Sequence, residues 1–128
     1  MKNLTFAKLL VTIIFLGNMM IAHAVPFGSG GIWAGNQYSV ICHLFNTGTD
    51  SININSKSVI TEHNGAAPIT GDTCGSIIQG QKLSLFYANV QPNGDNACLI
   101  DVSTIEHLRG RVEIRSVNGI PLISGELR

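Results

Sequence analysis

The side chains that could perform acyl transfer are scattered along this sequence, with no motif that would bring them together. Such chemistry needs a nucleophile, a base and a third group that orients the base within hydrogen-bond reach. The candidate nucleophiles are Cys74 and Ser76. The candidate bases and orienting groups are His43, His63, His107, Asp72, Asp95 and Asp101. Because no G-x-S-x-G elbow is present, we predict no catalytic residue and a protein that is not an enzyme.

The sequence has three cysteines, Cys42, Cys74 and Cys98, which could bind a metal or form a disulfide. They lack the C-x₂-C and H-x₃-H spacings that are typical of zinc sites. The loop around Asp95 is rich in oxygen ligands, but it lacks the residue order and the distal glutamate of a calcium loop. We therefore predict no metal and no cofactor. In an oxidising compartment, an odd number of cysteines predicts one disulfide and one leftover thiol, with the pairing left open.

The first 24 residues have the three parts of an export signal. Lys2 and Lys8 form a basic start, and residues 9–21 form an apolar segment. The small residues before Val25 suit a signal peptidase, so cleavage after Ala24 is expected. A membrane anchor is the alternative, but 13 residues are fewer than the roughly 20 that a span needs. We predict an exported protein, periplasmic or extracellular, with no stable membrane insertion after cleavage.

The charge of the exported chain restricts the partners that it can have. Loss of Lys2 and Lys8 leaves six basic and eight acidic residues, a net charge of −2. Sequence-independent binding of nucleic acid needs a concentrated basic surface, and so does adhesion to anionic lipid. We therefore predict no nucleic-acid partner, and an unknown protein or glycan partner remains open.

Two features could serve such a partner. Arg109, Arg111 and Arg115 share one strand face with Glu113, where they could meet an acidic surface or a glycan. The solvated side of a half-buried strand, protected by its charges from edge aggregation, is the favoured explanation. Trp33, the single tryptophan, could stack on a sugar. A lone tryptophan is more often a core anchor, so we expect Trp33 in the core.

Alternation with a period of two residues, together with turn dipeptides, predicts a fold of short strands. The clearest alternation covers 108–115, and others cover 38–45, 52–55, 58–62, 82–89, 97–103 and 120–127. Asn-Gly pairs at 64–65, 93–94 and 118–119 predict hairpins, since both residues tolerate positive φ. The sequence thus predicts an all-β, antiparallel two-sheet β-sandwich of about seven or eight strands over 37–128. The signal peptide (1–24) and a flexible, glycine-rich lead-in (25–36) precede it.

Two runs of turn and strand residues carry a family resemblance. Residues 42–48 (CHLFNTG) are followed by an alternating isoleucine strand, and residues 74–85 (CGSIIQGQKLSL) enter a later strand. The first run resembles the strand-Asn-x-Gly-strand opening of Hydin-type and related bacterial immunoglobulin-like domains. The second resembles their Cys-Gly…Gly…Cys corner. The resemblance covers 37–127 and implies an immunoglobulin-like sandwich among small exported bacterial proteins without an assigned function.

The resemblance also bears on the cysteines. Leu83 stands where the corner often has a second cysteine, so the resemblance implies that Cys74 is unpaired. Cys42 and Cys98 would then form a disulfide between the sheets, with Cys74 and Cys98 as the alternative pair. The odd cysteine could hold a disulfide-linked partner.

These observations predict an exported, non-enzymatic protein that acts by binding or as an envelope component. One alternative is a structural subunit that assembles by strand addition. Another is a small secreted hydrolase or an enzyme inhibitor.

Overall fold

The structure, a computed structural model, describes residues 24–35, 38–91 and 93–128. Within these ranges the chain forms eleven β-strands and no helix, so no segment there qualifies as a membrane-spanning helix. The strands are β1 (Val25–Gly28), β2 (Ile32–Ala34), β3 (Tyr38–Asn46), β4 (Ile52–Thr61), β5 (Gly65–Ala67), β6 (Gly71–Asp72), β7 (Ile77–Ile78), β8 (Leu83–Val90), β9 (Gly94–Val102), β10 (Leu108–Ser116) and β11 (Pro121–Leu127). Apart from Ala24, the predicted signal peptide lies outside the described residues.

The strands form two antiparallel sheets that pack face to face. Sheet A has the order β1-β9-β4-β5, with β2 also paired to β9 and β7 to β4. Sheet B has the order β11-β10-β3-β8-β6. The predicted all-β fold with two antiparallel sheets in a sandwich is confirmed.

Alternating side chains on the inner faces of the two sheets form the core. Val40, Cys42 and Leu44 of β3 point inward from sheet B and are fully buried. Cys98 and Ile100 of β9 meet them from sheet A. Further core residues are Phe27, Ile52, Ile54, Val59, Ile78, Phe86, Ala88, Val102, Leu108, Val112, Ile114 and Leu127. Each fully buried aliphatic or aromatic side chain contributes about 1.5–3 kcal/mol, so the alternation that predicts the strands also drives the sheets together.

The structure has more strands than predicted, and two of them lie at the start of the described chain. Residues 25–28 and 32–34, predicted to belong to a flexible lead-in, pair along β9 as β1 and β2. An edge strand needs only backbone bonds to one neighbour, so glycine and proline can hide it from pattern analysis. The predicted strands at 52–55 and 58–62 are parts of one strand, β4, whose register shifts between Ile54 and Ser56.

Two of the three Asn-Gly pairs close hairpins, and the third lies where the chain passes from one sheet to the other. Gly65 and Gly119, at φ of 66° and 77°, lie in the β4–β5 and β10–β11 hairpins. Asn93, at φ of 60°, instead lies where the chain passes from β8 in sheet B to β9 in sheet A. The predicted hairpin at 93–94 is therefore wrong. A turn dipeptide determines the local backbone, whereas the partner of the next strand depends on distant residues.

Asn46, at the end of β3, is a buried polar residue that organises the following turn. Its amide nitrogen donates to the carbonyl oxygens of Asp50 (2.6 Å) and Ile78 (3.2 Å). Its Oδ1 accepts from the backbone N–H of Gly48 at 3.0 Å. Gly48 has no room for a side chain, since an added Cβ would lie 2.9 Å from the His107 ring. These contacts explain why asparagine and glycine stand two residues apart here.

Backbone hydrogen bonds also join the two sheets along one side. The Gly28 N–H donates to the Arg128 carbonyl at 2.9 Å, and the Arg128 N–H donates to the Gly28 carbonyl at 2.8 Å. Ser29 forms an isolated bridge with Leu127. The end of β11 is thereby tied to β1, while residues 121–124 of the same strand remain exposed.

Candidate functional site

The three cysteines divide into a pair and a single residue. The sulfurs of Cys42 and Cys98 lie at disulfide distance between the sheets, with a Cα–Cα separation of 5.9 Å. Cys74 follows β6 and is buried without a cysteine partner. Burial, aided by the negative charge of Asp72, raises the pKa of the Cys74 thiol to about 11. Because the thiolate is the reactive form, Cys74 is a weak nucleophile at neutral pH.

The three candidate histidines lie on different parts of the fold. His43 is on β3 in sheet B, His63 is in the turn after β4, and His107 precedes β10. His63 and His107 are exposed, and the His63 Nε2 lies 2.8 Å from the Asn93 carbonyl oxygen. In the ranges that the structure describes, no three His, Cys, Asp or Glu side chains gather in an arrangement that could hold a metal.

Two of the candidate aspartates have local structural roles. Asp72 forms an ion pair with Lys57. Its Oδ1 accepts hydrogen bonds from the backbone N–H groups of Cys74 (2.8 Å) and Gly75 (3.1 Å), which organises the turn after β6. Asp101, on the outer face of sheet A, accepts a hydrogen bond of 2.9 Å from the Ser56 hydroxyl.

The outer face of sheet B brings charged and apolar side chains together. We define the arginine face as the outward residues of β10, β3 and β8 that the strand register places in adjacent rows. They are Arg109, Arg111, Glu113, Arg115, Ile41, His43, Phe45, Leu83, Leu85 and Tyr87. In the first row, Arg109 lies opposite Phe45, which lies opposite Leu83. The sheet therefore fixes the order of these side chains across its surface.

Glu113 lies at the centre of the arginine face and is buried, its side chain being only 5% exposed. Its Oε2 accepts from Arg111 Nη2 at 3.1 Å, and its Oε1 accepts from Arg115 Nε. Burial alone would raise the pKa of Glu113. The hydrogen bond and charge of Arg115, together with the charges of His43 and Arg111, outweigh burial and hold the pKa below its ordinary value of 4.5. The ionised carboxylate therefore sets the spacing of two guanidinium groups.

His43 lies beside this carboxylate and is mostly uncharged at neutral pH, although it carries a positive charge in the acidic range where Glu113 titrates. Its Nε2 is 3.5 Å from the Oε2 of Glu113 and makes no hydrogen bond within the described part of the chain. Burial lowers the pKa of His43 from 6.5. The attraction of Glu113 opposes that effect, and the charges of Arg111 and Arg115 add to it. The neutral form of the imidazole is therefore favoured at pH 7.

Apolar side chains extend the arginine face beyond its charges. Leu83 is 78% exposed and Phe45 is 37% exposed. A depression beside Arg109 is lined by Phe45 and Leu83, and another is lined by Tyr87 and Arg115. An apolar surface next to charged side chains, with depressions between them, is typical of a region that binds another molecule.

The charges of the arginine face oppose those of the rest of the domain. Three arginines and one glutamate give this face a net charge of +2. Residues 25–128 together carry −2, so the rest of the domain carries −4. The expectation of a solvated strand face holds for Arg111, whose side chain is 56% exposed. It is wrong for Glu113, which is buried between its arginine neighbours.

The prediction that Trp33 lies in the core is also wrong. Trp33 was expected to anchor the core, yet it lies on the outer face of sheet A and is 52% exposed. Its neighbour Ile32 packs against the core instead. The alternation of a three-residue strand gives too short a signal to decide which of two adjacent apolar residues faces inward.

Comparisons with protein-family models, with curated proteins and with solved structures find no match to this chain.

Proposed function

We propose that this chain is an exported, non-enzymatic binding protein and that the arginine face is its recognition surface. The observation that carries the proposal is the buried carboxylate of Glu113 between Arg111 and Arg115. A carboxylate in this position holds the two arginines in place before a partner arrives, which reduces the entropy lost on binding. The exposed Leu83 next to them supplies the apolar contact that such a surface needs.

The charge and shape of this face define the class of partner. Each guanidinium has five N–H donors, so Arg111 and Arg115 retain donors beyond those used by Glu113. Carboxylates match the planar fork of arginine donors. We therefore propose a protein partner that presents acidic side chains next to apolar ones.

Two observations favour binding over catalysis. The lowered pKa of Glu113 makes its carboxylate a weak general base at neutral pH. The raised pKa of Cys74 keeps its thiol protonated under the same conditions. We propose that both groups have structural or positioning roles.

Export is proposed on the basis of the N-terminal sequence and the cysteine pair. Strand β1 begins at Val25, so cleavage after Ala24 would remove no residue of any described strand. The proximity of Cys42 and Cys98 suits an oxidising compartment, where such a pair becomes a disulfide. We also propose kinship with Hydin-type immunoglobulin-like domains, on the basis of the sequence runs at 42–48 and 74–85.

Site-specific photo-crosslinking tests the recognition surface. A photoreactive amino acid at Leu83, on the arginine face, should give a discrete adduct in the cells that produce the protein. The same amino acid at Leu99, exposed on sheet A, serves as the matched control and should not give that adduct. Arg111→Gln should remove the Leu83 adduct while leaving the melting temperature within a few degrees. Equal adducts from both positions, or none at Leu83, would contradict the proposal.

Assembly by strand addition is a second candidate, favoured by the exposed part of β11. Val117, Ile120, Leu122 and Ile123 are 74%, 58%, 48% and 48% exposed on the β10–β11 hairpin. Most natural edge strands carry charges that prevent pairing with another chain, but residues 116–125 contain none. If this edge assembles, wild-type protein should show concentration-dependent oligomers in sedimentation velocity, and Ile123→Lys should remain monomeric.

A further inference from the structure

Trp33 occupies an unusual position for the single tryptophan of a small domain. It lies in the three-residue strand β2 at the edge of sheet A, with 52% of its surface exposed. Glycines stand two residues to either side, and a Cβ added at Gly35 would lie 3.8 Å from the indole Nε1. A Cβ added at Gly31 would instead lie 3.4 Å from the Asp95 Cβ, so the glycine leaves room for that side chain.

The carboxylates of Asp95 and Glu62 lie next to Trp33 in sheet A. Asp95 of β9 is paired with Trp33 in the strand register, so the two side chains leave the same face of sheet A. On the other side of Asp95, the Glu62 backbone N–H donates to the Asp95 carbonyl at 2.9 Å. The Asp95 N–H donates to Glu62 Oε2 at 3.0 Å, which holds the Glu62 carboxylate in place. Trp33 of β2, Asp95 of β9 and Glu62, the residue that follows β4, thus lie side by side, and we refer to these three residues as the tryptophan row.

The charge of the tryptophan row is uncompensated. Neither Asp95 nor Glu62 forms an ion pair with any lysine, arginine or histidine among the residues that the structure describes. Strands in a sheet lie about 4.8 Å apart, so the row extends over about 10 Å. This length accommodates one or two sugar rings.

We propose that the tryptophan row is a binding site for saccharides that carry a free amino group. The negative face of an indole attracts the C–H face of a sugar ring, and it attracts an ammonium group more strongly. The carboxylates of Asp95 and Glu62 accept hydrogen bonds from sugar hydroxyls, and their charge pairs with the ammonium. The same charge repels uronic acids and phosphorylated sugars.

This site is separate from the recognition surface proposed above. The tryptophan row lies on the outer face of sheet A, whereas the arginine face is the outer face of sheet B. The two also have opposite charges. Substitutions at one site can therefore be tested without altering the other.

Isothermal titration calorimetry with a short glucosamine oligosaccharide tests the inference. We expect binding by the wild-type protein, and about tenfold weaker binding, the equivalent of about 1.4 kcal/mol, after Trp33→Ala or Asp95→Asn. The N-acetylated form of the same oligosaccharide should bind about tenfold more weakly, because it lacks the ammonium. An oligosaccharide of uronic acids should not bind.

Matched controls make the result specific to the tryptophan row. Leu99→Ala, on the same face of sheet A but outside the row, and Arg111→Gln, on the arginine face, should both bind like the wild type. Trp33→Phe retains an aromatic ring and should lose less affinity than Trp33→Ala. The inference is overturned if the wild type does not bind glucosamine oligosaccharide at millimolar concentrations. It is also overturned if folded Trp33→Ala binds equally well, or if acetylation of the sugar has no effect.

Discussion

Replacing both Cys42 and Cys98 by alanine tests whether a covalent link between the sheets stabilises the sandwich. The two residues are 56 positions apart, so their disulfide would close a loop of 57 residues. In the chain-entropy account, a loop of about 57 residues lowers the entropy of the unfolded chain by about 14 cal/mol/K, or about 4 kcal/mol at 25 °C. A domain of this size has a net stability of about 5–15 kcal/mol. The double variant should therefore lose a large part of its stability.

The expected loss can be read from thermal unfolding. For a domain of about 100 residues, 1 kcal/mol corresponds to about 4–8 °C, so the double variant should melt about 15–30 °C below the wild type. Cys74→Ala is the matched control, since it also removes a buried sulfur but leaves the pair intact. It should cost about 1 kcal/mol, the usual effect of a small buried deletion.

A reducing agent adds an independent measurement. It should lower the melting temperature of the wild type and of Cys74→Ala by similar amounts and leave the double variant unchanged. Equal melting temperatures for the double variant and Cys74→Ala, or a wild type that is insensitive to reduction, would refute the reasoning. The first result would mean that loop closure contributes little, and the second that the two sulfurs are not bonded.

Three further predictions concern ionisable groups. Glu113→Gln should lower the free energy of unfolding by about 1–3 kcal/mol at pH 7, because it removes charged hydrogen bonds to Arg111 and Arg115. Folding lowers the pKa of Glu113, so the stabilisation by its carboxylate is present above about pH 4.5 and is lost as the pH falls further. Urea unfolding should therefore show the free energies of unfolding of the wild type and Glu113→Gln converging at acidic pH. A difference that stays constant with pH would contradict the assignment. In NMR titrations the pKa of His43 should lie below 6.5, fall further in Glu113→Gln and rise in Arg111→Gln; no response to either substitution would exclude the proposed contacts. Cys74 should resist iodoacetamide at pH 8 in the folded protein and react after unfolding, which intact mass will detect; rapid labelling of folded protein would show that the thiol is accessible.

The sequence predicts a strand correctly where apolar and polar side chains alternate. It does not predict strands or strand partners that depend on backbone pairing or on residues far away in the sequence. The regular pattern of 108–115 indicates β10 correctly, because the same alternation buries Leu108, Val112 and Ile114. Strand β1 escapes pattern analysis since its pairing with β9 uses mainly backbone groups. The turn at Asn93 is recognisable, but its sheet change is not, because the choice of sheet depends on residues far away in the sequence.

The site is less predictable than the fold. The arginines of β10 can be located from sequence, but the burial of Glu113 requires Arg111 and Arg115 on its own strand and His43 on the next. The tryptophan row likewise depends on which strands lie next to β9, since Trp33 and Glu62 are distant in sequence from Asp95. Cross-strand neighbours of this kind are set by register, which a single sequence does not specify outside hairpins.

The hydrogen bonds between Gly28 and Arg128 have a consequence for the order of folding. They join residues that are 100 positions apart, and β1 also depends on β9 for its strand partner. On a ribosome or at a translocation pore, β1 must therefore wait until nearly all of the following chain has emerged. Contacts this remote slow folding, so the pairing of β1 with β9 and Arg128 is expected to be among the last steps that complete the sandwich.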